Sequence, residues 1–148
     1  AHHGLIWTAG SRPNLPEMVP APAMAKGRLA IDATLRLVDQ PSVFAIGDLS
    51  CWESDPWPST AQVAMQQGVA VARSIHHQQQ QQDEEPAPFR FEDRGEMLSL
   101  GIGDATLTGM GITLAGPLAF GIRRATYLTR LPGLSLGLRS AGAWLLGR

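Results

Sequence analysis

Two neighbouring stretches constrain this 148-residue chain more than any other feature: VFAIGD at residues 43–48 and PSTAQVAMQQG at residues 58–68. The first is a run of four apolar residues set off by Pro41 and closed by Gly47 and Asp48. It reads as a short buried strand over 43–46. In the second, Ser59 follows Pro58 and offers an N-cap, so residues 59–75 read as a helix. Ala61, Ala64, Gly68 and Ala72 put small residues on one stripe of that helix, which suits close packing against a sheet. Open α/β sheets bind ligands at such a corner, where a strand ends and a helix begins. Gly47 lets the backbone approach a ligand closely. The Asp48 carboxylate can accept hydrogen bonds from sugar-like hydroxyls. The free N–H groups and positive dipole end of the helix can face an electron-rich ring. A plainer reading stays open for each residue. Asp48 could be a turn aspartate capping the next segment, and Gln62 and Gln66, one helical turn apart, could be the polar face of a surface helix.

Elsewhere the patterns are shorter. Residues 5–8 form an apolar run that ends in a small-residue turn at Gly10, and they read as another buried strand. Pro13, Pro16, Pro20 and Pro22 make residues 11–27 a loop. Residues 28–38 alternate twice and read as a hairpin or strand pair, and residues 49–58, with Trp52 and Trp57, as a loop. The tryptophans either cover a ligand or pack. The low-complexity run at 76–85, HHQQQQQDEE, reads as a solvated loop. Phe89 and Phe91 alternate with Arg90 and Glu92, which predicts a strand whose partner, 97–102, lies across a turn at Arg94 and Gly95. These patterns divide the chain into a first region over 1–76, a Gln/Glu-rich loop over 77–88 and a last region over 89–148. The chain does not open on Met or on a secretory signal, and residues 1–6 read as the continuation of a longer polypeptide.

Composition excludes several chemistries. A single cysteine, Cys51, rules out an internal disulfide, a thiol-pair redox centre and a Cys-rich zinc site. The pairs His2-His3 and His76-His77 project differently and have no ligand spacing beside them, so no metal site is expected. The net charge of −1 is unevenly spread: residues 97–148 hold five arginines against one acidic residue, Asp104. A basic half of this kind points to nucleic acid or to an anionic membrane surface. Its richness in Leu, Gly, Ile and Ala favours the membrane, and no nucleic-acid partner is expected.

The uncharged stretch 105–122 barely reaches spanning length and is broken by Pro117 and by glycines at 109, 111, 116 and 121. Arginines then recur between short apolar runs, which fits helices lying in the interface. Arg123, Arg124 and Arg130 are the expected membrane contacts, with an ordinary solvated face as the alternative.

The GD followed by P-S-T-A-Q-V-A-M-Q, with WTAG at residues 7–10 upstream, resembles the second flavin motif of type II NAD(P)H:quinone oxidoreductases. The likeness extends over essentially the whole chain apart from the Gln run. Residues 95–134 are similar to the cyanobacterial and chloroplast branch of that family, whose members reduce prenylated quinones including demethylphylloquinone.

The resemblance implies an α/β fold: the C-terminal part of a two-dinucleotide, Rossmann-like flavoprotein, followed by a β-hairpin and amphipathic membrane-docking helices. It implies FAD as cofactor, NADH or NADPH as co-substrate, and a membrane prenylquinone as electron acceptor. It further implies a peripheral place on the cytoplasmic or stromal side of a thylakoid or plasma membrane, and a homodimer of the full enzyme. Thr8, Gly10, Gly47, Asp48, Ala61 and Gln62 would bind the cofactor, with Asp48 on the ribitol and Ala61 and Gln62 at the isoalloxazine through backbone. A reduced flavin is negative near its pyrimidine edge, so a helix start there would stabilise it. Gln62 and Gln66 would line the quinone pocket, and no residue here is a catalytic acid or base. The family's first G-x-G-x-x-G and its nicotinamide domain are not in this sequence, so the chain alone is expected to be inactive. Two other readings stay open: a soluble flavin reductase, against which the missing thiol pair and the basic apolar tail argue, and a non-catalytic membrane-docking module.

Overall fold

The computed structural model describes residues 3–8, 10, 12–80 and 86–146. They form two compact units, residues 1–92 and 93–148.

The first unit is built on a small mixed sheet. Strand β1 (Met24–Ala25) pairs antiparallel with β2 (Arg28–Ala30), and β2 pairs parallel with β3 (Ser50–Cys51). The chain beyond β2 doubles back through isolated bridges, Ile31 to Leu37 and Arg36 to Phe44. This is the expected hairpin of 28–38, held at its turn by Asp32. One carboxylate oxygen of Asp32 accepts from the Thr34 N–H at 2.7 Å, the Thr34 hydroxyl at 2.8 Å and the Arg36 N–H at 3.1 Å. Leu29, Ile31, Leu35, Leu37, Ala45 and Phe89 are the core of the unit. Helix α1 (Ala61–Gln80) packs against a 3-10 turn at Gly47–Leu49.

Several sequence expectations are corrected. Residues 5–8 are not a strand: Leu5, Ile6 and Trp7 are 86, 90 and 80% exposed. A strand needs a hydrogen-bonded neighbour, and neither sheet supplies one there among the described residues. Residues 43–46 are buried in part but form no ladder; Phe44 makes a single bridge and only Ala45 is fully inside. Ser50 and Cys51, expected in a loop, are β3. Helix α1 begins after Thr60 rather than Ser59, because the Thr60 hydroxyl accepts the Val63 N–H at 3.3 Å. It runs on through His76–Gln80, since glutamine is a good helix former; residues 81–85 of the expected loop lie outside the described residues. Phe89 is anchored by one bond, its N–H to the Ala33 carbonyl at 2.8 Å, and the segment forms no strand.

The second unit is a three-stranded antiparallel meander with two helices. Strand β4 (Glu96–Gly101) pairs with β5 (Asp104–Gly109), and β5 with β6 (Ile112–Ala115). The partner of 97–102 is therefore the following strand, across a turn at Ile102 and Gly103. Gly95 lies against β5 instead: its φ is +88°, and a Cβ would collide with the Thr108 carbonyl. Helix α2 (Pro117–Leu128) packs on β5 and β6, and α3 (Leu134–Leu145) follows. Ala105 on β5 and Ala119 on α2 are both wholly buried, so small residues on both elements permit close approach. The uncharged stretch 105–122 is thus two strands and a helix start. Among the described residues, no helix is long and apolar enough to cross a membrane.

Candidate functional site

The strongest sequence motif folds into a braced turn. Gly47 takes φ +68°, a conformation in which L side chains are rare, and a Cβ there would meet the Ala64 Cβ of α1 at 3.3 Å. Gly68, one helical turn on, faces Ile46, with 3.9 Å between the position of an added Cβ and Ile46 Cδ1. Half of the expected small-residue stripe, Ala64 and Gly68, therefore seats the helix on the turn, while Ala61 and Ala72 are exposed. The turn is tied by two side chains. Gln67 Oε1 accepts the Gly47 N–H at 2.7 Å, and the Ser50 hydroxyl donates to the Gly47 carbonyl at 3.0 Å. Gln67 is only 2% exposed. It escaped the sequence reading, which named Gln62 and Gln66. The signal was present, since Gln67 lies four residues after Val63, on the buried stripe of the helix.

This bracing leaves two groups presented outward. The Asp48 carboxylate is exposed and has no hydrogen-bond partner among the described residues. The Ala61 N–H, at the start of α1, likewise has no acceptor there. No acidic residue lies in the first turn of α1, so its positive dipole end is not neutralised by its own side chains. The exposed Asp48 carboxylate, a hydrogen-bond acceptor, and the Ala61 N–H, a donor, are thus both left for an outside partner among the described residues.

Gln66 is differently employed. Its Nε2 donates to the Glu92 carbonyl at 2.8 Å and its Oε1 accepts the Glu92 N–H at 3.0 Å, so it clasps one peptide unit of the chain. One N–H and one lone pair of the amide remain for another partner. Gln62 is half-buried on the same helix. Thr8 and Gly10 are exposed, joined by a bond from the Gly10 N–H to the Thr8 carbonyl at 2.9 Å. Trp52 and Trp57 pack with ring centres 5.1 Å apart, and Trp57 meets Phe89 edge-on at 5.0 Å. Together with Phe91, Pro58 and Pro88 they wall an open groove of about 570 Å³.

In the second unit the arginines are stacked on aromatic rings. The Arg124 guanidinium lies over Phe120 at 4.8 Å and over Trp144 at 4.6 Å, joining α2 to α3. Arg123 lies over Tyr127 at 4.7 Å, and Arg130 over the same ring at 5.8 Å. Leu134, Leu138 and Leu145 of α3 are 88, 72 and 88% exposed. Their spacing puts them on one stripe of the helix.

No family model matches the chain. It is 35% identical over 143 residues to the alternative NAD(P)H-ubiquinone oxidoreductase C1, chloroplastic/mitochondrial, of Arabidopsis thaliana, a match that covers 86% of this chain and 26% of that protein. It is 33% identical over 153 residues to the demethylphylloquinone reductase NdbB of a Synechocystis strain, covering 95% of this chain and 37% of that protein. The type II NADH:quinone oxidoreductase of Staphylococcus aureus is 33% identical over 118 residues, with 77% of this chain and 28% of that protein covered. The chain thus spans between about a quarter and somewhat over a third of its relatives' lengths. Over that span, it belongs to the type II NAD(P)H:quinone oxidoreductase family.

Proposed function

We propose that this chain is the part of an FAD-dependent NAD(P)H:quinone oxidoreductase that holds the ribitol and ring end of the flavin and docks the enzyme on a membrane. The observation that carries the reading is the turn at Gly47 and Asp48, braced by Gln67 and seated on the start of α1. The residues present fit the cofactor: an exposed carboxylate suits the ribitol hydroxyls, and a helix-start amide with no acceptor among the described residues suits the electron-rich edge of the ring.

When bound, the flavin supplies the redox chemistry, accepting hydride equivalents from NAD(P)H and delivering electrons to a quinone. The chain's own residues orient it. Asp48 accepts hydrogen bonds, Gly47 gives close approach, Ala61 and Gln62 meet the ring by backbone, and Thr8 and Gly10 contribute from the preceding segment. Gln62, with the remaining donor and acceptor of Gln66, faces the quinone. That acceptor is a membrane prenylquinone, demethylphylloquinone foremost, a choice supported by the name of the Synechocystis relative. The second unit lies on an anionic membrane surface, thylakoid or plasma, on the cytoplasmic or stromal side. The exposed leucines of α3 and the arginines of α2, which form no ion pair among the described residues, support that placement. The whole enzyme is proposed to act as a homodimer, and this chain alone to be inactive because the nicotinamide-binding part is supplied elsewhere.

The test is Asp48→Ala in the full-length enzyme. Loss of a hydrogen bond to a charged group costs about 1.5–3 kcal/mol, so flavin affinity should fall roughly tenfold or more. Flavin absorbance per mole of purified protein reads it. Unchanged occupancy and unchanged flavin dissociation would refute the assignment.

A further inference from the structure

We propose that the groove between α2 and α3 is a specific site for the phosphate of an anionic phospholipid headgroup, bound by Arg123 and Arg124. This rests on the membrane-docking reading above and gives it a defined ligand. The groove has a volume of about 450 Å³ and is lined by Phe120, Arg123, Arg124, Tyr127, Ser140 and Trp144, among others. Its charge is uncompensated: Arg123, Arg124 and Arg130 form no ion pair among the described residues. The Nε of Arg123 is buried without a hydrogen-bond partner among the described residues, and buried donors in folded proteins are nearly always satisfied.

Geometry narrows the ligand. Arg124 is held between two rings, 4.8 Å from Phe120 and 4.6 Å from Trp144. A guanidinium stacked in this way keeps its planar N–H fork for an oxyanion approaching in its own plane. Arg123, over Tyr127, adds a second fork. Two guanidinium forks on one groove match the several oxygens of a phosphodiester. The hydroxyl of Ser140 suits a glycerol oxygen. The rest of the ligand is apolar, because Leu134 and Leu138 lie exposed on the helix that forms one wall of the groove. A phospholipid presents that combination, with phosphate at the groove and acyl chains along the leucines.

The test uses the full-length enzyme and sedimentation with vesicles of phosphatidylcholine alone or mixed with phosphatidylglycerol. Arg123→Lys/Arg124→Lys keeps the charge but removes both forks, and binding to mixed vesicles should fall about tenfold. Arg139→Lys, on α3 but not among the groove residues, should change nothing. Should the lysine pair misfold by circular dichroism, Ser140→Glu replaces it. That change sets a carboxylate at the groove and should lower binding about tenfold, whereas Ser135→Glu, equal in charge, should lower it about twofold at most. A folded lysine pair that binds like the parent, or equal losses from the two serine changes, overturns the site while leaving peripheral docking intact. Absence of binding to either vesicle by the parent enzyme overturns the docking reading and the site together. If the parent binds mixed vesicles no better than phosphatidylcholine alone, yet binds millimolar inorganic phosphate in a way the lysine pair abolishes, the groove takes free phosphate and the lipid assignment is wrong.

Discussion

The side-chain carbonyl of Gln67, buried in α1, accepts the backbone N–H of Gly47 at 2.7 Å. It bridges the helix to the turn that presents Asp48, twenty residues earlier. Gln67→Met keeps the volume and removes the acceptor, which leaves a part-buried amide unsatisfied. That change is expected to cost about 1–3 kcal/mol, while Gln67→Glu, which keeps an acceptor but buries a carboxylate, should cost at least as much. Urea denaturation followed by tryptophan fluorescence measures both. Equal midpoints for Gln67→Met and the parent would show that the bond holds nothing.

Gly47 and Gly27 provide a paired test of the same turn. Both have positive φ, +68° and +77°, but an added Cβ at Gly27 meets open space whereas one at Gly47 meets Ala64 at 3.3 Å. Gly27→Ala is expected to cost about 1–2 kcal/mol, the cost of a left-handed backbone alone. Gly47→Ala should cost more, because α1 must also shift. In the full enzyme it should lower flavin occupancy as well. Equal stability losses would mean that the helix yields without strain.

Gln66 clasps the peptide unit of Glu92, at 2.8 and 3.0 Å. Gln66→Ala removes both bonds and should free the segment around residues 90–94 from α1. The expected loss is about 1–2 kcal/mol of local stability, seen as faster tryptic cleavage after Arg90 and Arg94. If cleavage is unchanged but quinone reduction by the full enzyme falls, the residue serves the quinone and not the segment.

The parts of the fold that were legible in the sequence are those set by local chemistry. Pro58, Thr60 and the alanine- and glutamine-rich run that follows dictate α1, and Gly47-Asp48 marks the turn before it. What was not legible depends on partners far along the chain. Leu35 adopts φ +70°, unusual for leucine, and is 1% exposed; core packing overrides a backbone preference that sequence reading takes as given. Phe89 and Phe91 have the alternation of a strand, yet Phe89 is recruited as a single core anchor over Ala33, and no ladder forms. Residues 104–115 hid a hairpin because their glycines and threonines look the same in a loop, a strand or a broken helix. In the candidate site, the turn that carries Asp48 was readable from the motif. Gln67 required knowing which face of α1 is buried, and Trp144 required knowing that α3 folds back beside α2.

Apolar and electrostatic membrane contact are separable by substitution. Leu134 and Leu138 sit on the exposed stripe of α3 at 88 and 72% exposure, which is costly in water and favourable at a bilayer interface. Half-burial of a leucine contributes about 1 kcal/mol, so Leu134→Ser/Leu138→Ser should weaken vesicle binding roughly tenfold to thirtyfold. The loss should appear on neutral as well as anionic vesicles, because no charge is removed. Replacing Arg123, Arg124 and Arg130 with Gln should behave oppositely: binding to neutral vesicles is preserved, while the advantage of anionic lipid and its salt sensitivity shrink. A water-soluble short-chain quinone should still be reduced by full-length enzyme carrying either set of changes, since neither touches the turn at Gly47 or the start of α1. If the serine variant binds both vesicles as the parent does, the leucine stripe is not the membrane face, and its exposure must be explained by another protein surface.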